Sequence, residues 1–64
     1  MTMPEAKRYV GKNCCIWWTD RLGREHSRVL QVEAVKFVPL YGTYIICETE
    51  EVRLDKVSQI RVAG

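Results

Sequence analysis

The amino-acid sequence predicts an all-β protein, a small five-stranded barrel with a short 3-10 turn before its last strand. Its 64 residues allow one domain with a small core. Short runs of β-branched and aromatic residues, separated by turns that contain glycine or proline, are typical of strands. No run of ten residues has the apolar spacing of a helix. A closed or half-closed barrel suits so short a chain, because an open sheet would leave one face and two edges bare.

The first two strands form a predicted hairpin. Residues 13–19 are rich in branched and aromatic side chains, which favours a strand. Residues 20–24 follow as a turn, in which Gly23 can adopt a positive φ without a steric penalty. Residues 25–38 then form a long second strand, the longest element of the predicted fold.

This long strand changes phase near its middle. Leu30, Val32 and Ala34 lie on one face of an alternating strand, but the next apolar residues, Val35 and Phe37, belong to the other face. A slip of one residue moves every later side chain to the opposite face. We therefore expect a β-bulge or sharp bend near Ala34, which is also what a small barrel needs to close its sheet.

The rest of the chain divides at its turn residues into three shorter strands. In order, the predicted elements are a turn at 39–42, a strand at 43–47, a polar tip at 48–51, a strand at 52–54, a 3-10 turn within 55–58 and a last strand at 59–62. Chain length favours an SH3-like or Sm-like barrel over an OB-fold, which usually needs more residues. Residues 1–8 are expected to form a flexible N-terminal arm, and residues 9–64 the single domain.

Composition excludes several classes of protein. Apolar residues make up 47% of the chain, too many for a disordered protein. The net charge of +2 is far below that of a binder driven by charge alone. No segment approaches the length of a membrane helix, and the N-terminus lacks the apolar run of a signal peptide. We therefore expect a cytoplasmic location and no membrane partner.

The residues indicate no catalytic or metal chemistry. The odd number of cysteines, with Cys14 and Cys15 adjacent and Cys47 distant, does not form a disulfide framework. Small buried or half-buried hydrophobic side chains are the simpler interpretation. With the single His26 they offer too few ligands at suitable spacing for a metal ion. Neither serine lies in a nucleophile elbow, and no glycine-rich phosphate loop is present. We expect no enzyme, no metal and no cofactor.

One candidate binding surface lies on the hairpin of the third and fourth strands. A tip at residues 49–50 pairs Ile46 with Arg53, on the face opposite the apolar core residues of the hairpin. Tyr44 lies on the same face as Ile46, because it is two residues earlier in the strand. An exposed tyrosine beside an arginine can stack on and hydrogen-bond to a nucleotide or a peptide.

Each of these assignments has an alternative. Arg53 could instead pair with Glu51 or Asp55 on a solvated face. Trp17 and Trp18 are neighbours, so they point to opposite sides of their strand. We expect Trp18 to face the core and Trp17 to mark an exposed partner surface. The alternative is that both tryptophans cap the ends of a small barrel.

Arginines on and after the first hairpin form a second candidate group. Arg21, Arg24 and Arg28 could contact phosphates, which arginine binds without reading base sequence. They could equally pair with Asp20 and Glu25, and exposed ion pairs of this kind contribute only about 0–1 kcal/mol each.

The end of the chain resembles that of a known family. Residues 53–57, Arg-Leu-Asp-Lys-Val, follow the strand Tyr-Ile-Ile at 44–46. WYL domains end similarly, with an Arg-Leu-Asp-Arg-Ile-like run after a Trp-Tyr-Leu strand. The resemblance covers about residues 14–62. Three earlier features occur in the same order as the first strand, the hairpin turn and the arginine-containing second strand of a WYL domain. They are residues 16–18, Gly23 and residues 28–30. The Leu-Asp-Lys ending is also similar to the Rho-binding antiterminator family, another small barrel.

The resemblance implies a role in bacterial or phage gene regulation. WYL domains are Sm/SH3-like and are thought to sense nucleotide or nucleic-acid ligands in transcriptional regulators. By position, Tyr44, Arg53 and Arg28 would contact such a ligand, and Lys56 occupies the second basic place of the motif. The Rho-binding family instead contacts a transcription termination factor through its protein surface.

We therefore expect a small, non-catalytic regulatory module that binds RNA, single-stranded DNA or a nucleotide. The alternative is a protein-interaction module that contacts a protein of the transcription machinery or assembles into a homo-oligomer without binding nucleic acid. The candidate ligand-binding residues are Tyr44, Arg53, Arg28, Trp17, Arg21, Arg24 and Lys56.

Overall fold

Five antiparallel strands form one sheet in the computed structural model, which describes residues 1–63. The elements are, in chain order, helix α1 (Met3–Lys7), strands β1 (Asn13–Thr19), β2 (Glu25–Val38), β3 (Gly42–Cys47) and β4 (Glu51–Arg53), a 3-10 turn (Leu54–Lys56) and strand β5 (Val57–Val62). The strand order is β4-β3-β2-β1-β5. The fold is mostly β, and the five predicted strands and the 3-10 turn before the last strand are confirmed. Within residues 1–63, no ladder between β4 and β5 closes the sheet into a barrel.

A β-bulge bends β2 where the sequence predicts one. Between Val32 and Ala34 the pairing with β3 shifts, so Glu33 is an extra residue opposite the β3 ladder. Before the bulge, Leu30 and Val32 are buried, and after it Val35 packs against the same core. The extra residue restores the apolar phase and lets one strand pair with β1 along its first half and with β3 along its second.

The core draws side chains from both ends of the sheet. Ile16 of β1 and Ile45 of β3 are almost completely buried, and Ile60 of the edge strand β5 joins them. Strands that lie apart in the sheet share one cluster only if the sheet curls around it. The described core contains no buried polar or charged residue. Its members are Ala6, Cys14, Ile16, Leu30, Val32, Ile45, Cys47, Leu54 and Ile60.

The β3–β4 hairpin differs from its predicted register by two residues. Tyr44, rather than Ile46, lies opposite Arg53. The Cys47 amide donates a hydrogen bond to the Glu50 carbonyl at 2.8 Å, so the chain reverses one residue earlier than predicted. A shift of two keeps every side chain on its predicted face, because the side chains of a strand alternate. Tyr44 and Arg53 therefore become direct cross-strand neighbours.

The N-terminal segment contains helix α1, which the sequence analysis did not predict because five residues are too few to show a helical period. Thr2 caps the helix through a reciprocal capping box with Glu5, and these hydrogen bonds lower the pKa of the Glu5 carboxyl. Ala6 is only 1% exposed. The flexibility expected for residues 1–8 stays a prediction, and the burial of Ala6 argues against it. Among the described residues, no helix is long and apolar enough to cross a membrane.

Candidate functional site

A cleft of about 500 Å³ lies between the end of β1 with its hairpin and the region of β4 and the 3-10 turn. We call it the aromatic–basic cleft, because three aromatic and three basic side chains line it. Two carboxylates, Asp20 and Glu51, also line the cleft. The six side chains that define it are Trp18, Tyr41, Tyr44, Arg21, Arg53 and Lys56.

Four of the seven predicted binding residues meet in this cleft, although they lie in three separate parts of the sequence. They are Tyr44, Arg53, Arg21 and Lys56. Two members of the site, Trp18 and Tyr41, were not predicted from the sequence. Trp18 packs against the core, as expected, but it also lines the cleft. Tyr41 is exposed, and its position between Pro39 and Gly42 in a predicted turn is the sequence signal that could have marked it as a surface aromatic.

Arg53 takes part in an ion pair at the margin of the cleft. Its Nη2 donates a hydrogen bond to Asp55 Oδ2 at 2.9 Å. Arg53 therefore does pair with a carboxylate, as the alternative interpretation predicts, and the partner is Asp55 rather than Glu51. Both side chains are well exposed, and pairs of this kind contribute about 0–1 kcal/mol. Tyr44, directly across the hairpin, stays half-buried rather than fully buried. A ligand can therefore compete with Asp55 for the guanidinium.

The β1–β2 hairpin is held by Asp20. Its Oδ1 accepts hydrogen bonds from the backbone amides of Leu22 at 2.8 Å and Arg24 at 3.0 Å, and its Oδ2 lies 2.8 Å from His26 Nε2. The bond to His26, followed by that to the Arg24 amide, lowers the pKa of the Asp20 carboxyl. His26 also stacks on Trp18, with ring centroids 5.4 Å apart. These contacts fix the hairpin that carries Trp18 into the cleft.

Three predicted binding residues lie outside the cleft. Arg28 Nη1 donates to Glu50 Oε1 at 2.8 Å, which joins β2 to the β3–β4 tip. Arg24 is exposed within the first hairpin, and its guanidinium makes no ion pair among the described residues. Trp17 points to the face opposite Trp18 and is half-buried rather than exposed. These three side chains therefore do not lie with the four predicted binding residues that line the aromatic–basic cleft.

Two of the three cysteines are buried thiols. Cys14 and Cys47 lie in the core, Cys15 is half-buried, and all three are free. Burial raises the pKa of Cys14, and it raises the pKa of Cys47 to about 11. Both buried thiols therefore stay protonated near neutral pH, and a protonated thiol is a poor nucleophile. Across residues 1–63, no three His, Cys, Asp or Glu side chains form a group suited to a metal ion.

The arrangement of the cleft suits stacking and phosphate binding. Aromatic rings offer faces to any base, and arginine or lysine binds phosphate oxygens without regard to sequence. Asp20 is engaged by the hairpin, so its charge is already partly compensated by hydrogen-bond donors. In comparisons with models of known protein families, with curated proteins and with solved structures, no match to this chain was found.

Proposed function

We propose that the protein is a small, non-catalytic binding module that takes single-stranded nucleic acid or a nucleotide into the aromatic–basic cleft. The observation that carries this proposal is the meeting of three aromatic and three basic side chains in one open cleft. Base stacking on an aromatic side chain contributes about 1–3 kcal/mol per base, and basic groups add a phosphate-binding contribution that depends on salt.

Two cations of the cleft are available for phosphate. Within residues 1–63, Arg28 and Arg53 form ion pairs and His26 contacts Asp20, so neither Arg21 nor Lys56 has a carboxylate partner. A phosphate that approaches these two side chains does not have to break an existing ion pair. This favours an anionic, aromatic ligand over a neutral peptide.

We also propose that the chain is one of the small SH3-like or Sm-like barrels, with WYL domains and the Rho-binding antiterminator family as the families it resembles. The strand order, the bend of β2 and the 3-10 turn before β5 support this assignment. The implied setting is cytoplasmic regulation of transcription in a bacterium or phage.

Titration of the full chain into labelled oligo(U) and oligo(dT) tests the function. We expect binding that weakens with salt, and Arg21→Gln or Lys56→Gln to reduce affinity about fivefold, or roughly 1 kcal/mol. Each substitution should also reduce the slope of log K against log salt by about 0.7. Arg61→Gln is the matched control, because Arg61 is exposed on β5 and lines no part of the cleft. No binding, or equal losses in all three variants, would reject the cleft as the binding site.

Self-association is a second candidate, favoured by the free edges of the sheet. Strands β4 and β5 are the two edges, and β5 presents six residues to a partner. Sedimentation over a wide concentration range without nucleic acid tests this function. A concentration-dependent dimer or larger ring would support it, and a monomer at the highest concentration would reject it.

A further inference from the structure

A second cleft continues the aromatic–basic cleft across the outer face of β2 and β3. Its volume is about 380 Å³, and Tyr41, Tyr44 and Glu51 line both clefts. The second cleft adds Lys36, Val38 and Ile46 to the shared residues. The two clefts therefore adjoin at these three shared side chains, of which Tyr44 is one, and we call the two clefts together the groove.

The sheet register places Tyr44 between two cations. Lys36 of β2 pairs with Tyr44 of β3, and Tyr44 pairs with Arg53 of β4. Directly paired residues project from the same face of a sheet. Neighbouring strands are about 4.8 Å apart, so the backbones of Lys36 and Arg53 are roughly 10 Å apart with the tyrosine between them. Cation, aromatic ring and cation thus form a row across three strands.

The charges of the groove favour a nucleic-acid backbone along this row. Lys36 makes no ion pair within residues 1–63, and the exposed partner of Arg53 is replaceable. Ile46, the next residue on the same face, is half-buried and provides apolar surface beside the tyrosine. Glu51 lies opposite Ile46, so a phosphate is disfavoured there and favoured along the row of Lys36 and Arg53.

We infer that Tyr44 stacks an internal base of a single strand while Lys36 and Arg53 bind the phosphates on either side of it. This inference rests on the proposed function and narrows its ligand to single-stranded nucleic acid. A nucleoside 5′-monophosphate has a phosphate on one side only, so it can engage one of the two cations. A strand, or a nucleoside 3′,5′-bisphosphate as its smallest mimic, engages both.

The test compares four probes by calorimetry: uridine 5′-monophosphate, uridine 3′,5′-bisphosphate, and the hexamers of oligo(U) and oligo(dT). We expect the hexamers to bind at least about tenfold more tightly than the monophosphate, with the bisphosphate between them. Lys36→Gln should weaken hexamer binding about fivefold and lower its salt slope by about 0.7. Tyr44→Ala should weaken every probe, and Tyr44→Phe should retain binding because stacking needs only the ring.

Lys12→Gln is the matched control, since Lys12 is exposed just before β1 and lines neither cleft. Circular dichroism establishes that each variant is folded. Equal affinity for the monophosphate and the hexamers, or hexamer binding unchanged by Lys36→Gln, would overturn this inference while the proposed function stands. Failure of all four probes to bind would reject both.

Discussion

Arg53 and Asp55 form an ion pair of 2.9 Å at the margin of the aromatic–basic cleft. The carboxylate contacts the guanidinium that the proposed ligand would use, so we expect Asp55 to compete with a phosphate for Arg53. Because the pair is exposed on both sides, its contribution to stability is about 0–1 kcal/mol. We therefore expect the loss of this pair to change ligand affinity more than it changes the stability of the fold.

Asp55→Asn should strengthen binding of oligo(U) about two- to fivefold, because it frees Arg53 and removes a repelling charge. Fluorescence anisotropy at fixed salt measures the change. Glu50→Gln is the matched control, since it removes one carboxylate from the Arg28 ion pair, whose arginine does not line the cleft. An equal gain in affinity in both variants would show that the change in net charge, rather than the release of Arg53, strengthens binding.

Arg28→Gln should leave oligonucleotide affinity within about twofold of the original chain. The family resemblance assigns Arg28 a ligand contact, but its guanidinium bonds Glu50 and lines neither cleft. Loss of this exposed pair should lower the free energy of unfolding by less than about 1 kcal/mol. Thermal unfolding and the same anisotropy titration measure both quantities, and a loss of affinity as large as that of Arg21→Gln would contradict the placement.

Stability should fall on the alkaline side because of Cys47. Burial raises the pKa of this thiol from its ordinary value of 9.0 to about 11, so the folded state keeps a proton that the unfolded state releases. The contribution of the protonated Cys47 thiol to the free energy of unfolding is complete below pH 9 and is lost as the pH rises towards 11. The free energy of unfolding should therefore decrease by up to about 1.4 kcal/mol per pH unit in this window. Urea unfolding at several pH values measures it, and Cys47→Ala should show a shallower dependence.

Ile16→Ala should destabilise the fold by about 2–5 kcal/mol. Ile16 is 0% exposed and pairs with β2 on one side and β5 on the other, so its truncation leaves a cavity in the middle of the core. In so small a domain this loss approaches the whole stability. Val29→Ala is the control, because Val29 is 61% exposed and its loss should stay within about 0.5 kcal/mol. Similar unfolding midpoints for the two variants would contradict this placement of the core.

Local patterns explain which features were predictable. The slip of apolar phase after Ala34 predicts the bulge, since alternation in a strand has a strict period of two. The shared face of Tyr44 and Arg53 survived a wrong hairpin register because the error was an even number of residues. Helix α1 was missed, although Thr2 and Glu5 have the spacing of a capping box.

The sequence by itself determined the strands, the faces of most of their side chains and the approximate position of the bend, because these follow from side-chain alternation and turn chemistry between near neighbours. Ala34, which alternation places on the same face as Leu30 and Val32, is exposed because the bulge lies before it. Only the tertiary structure decided that Trp18 and Arg21 line the same cleft as Tyr44 and Lys56. It also decided that Arg28 forms an ion pair with Glu50 and lies outside this cleft. These contacts depend on how the sheet curls around its core. That curvature is set by packing among residues far apart in the chain, which no local pattern records.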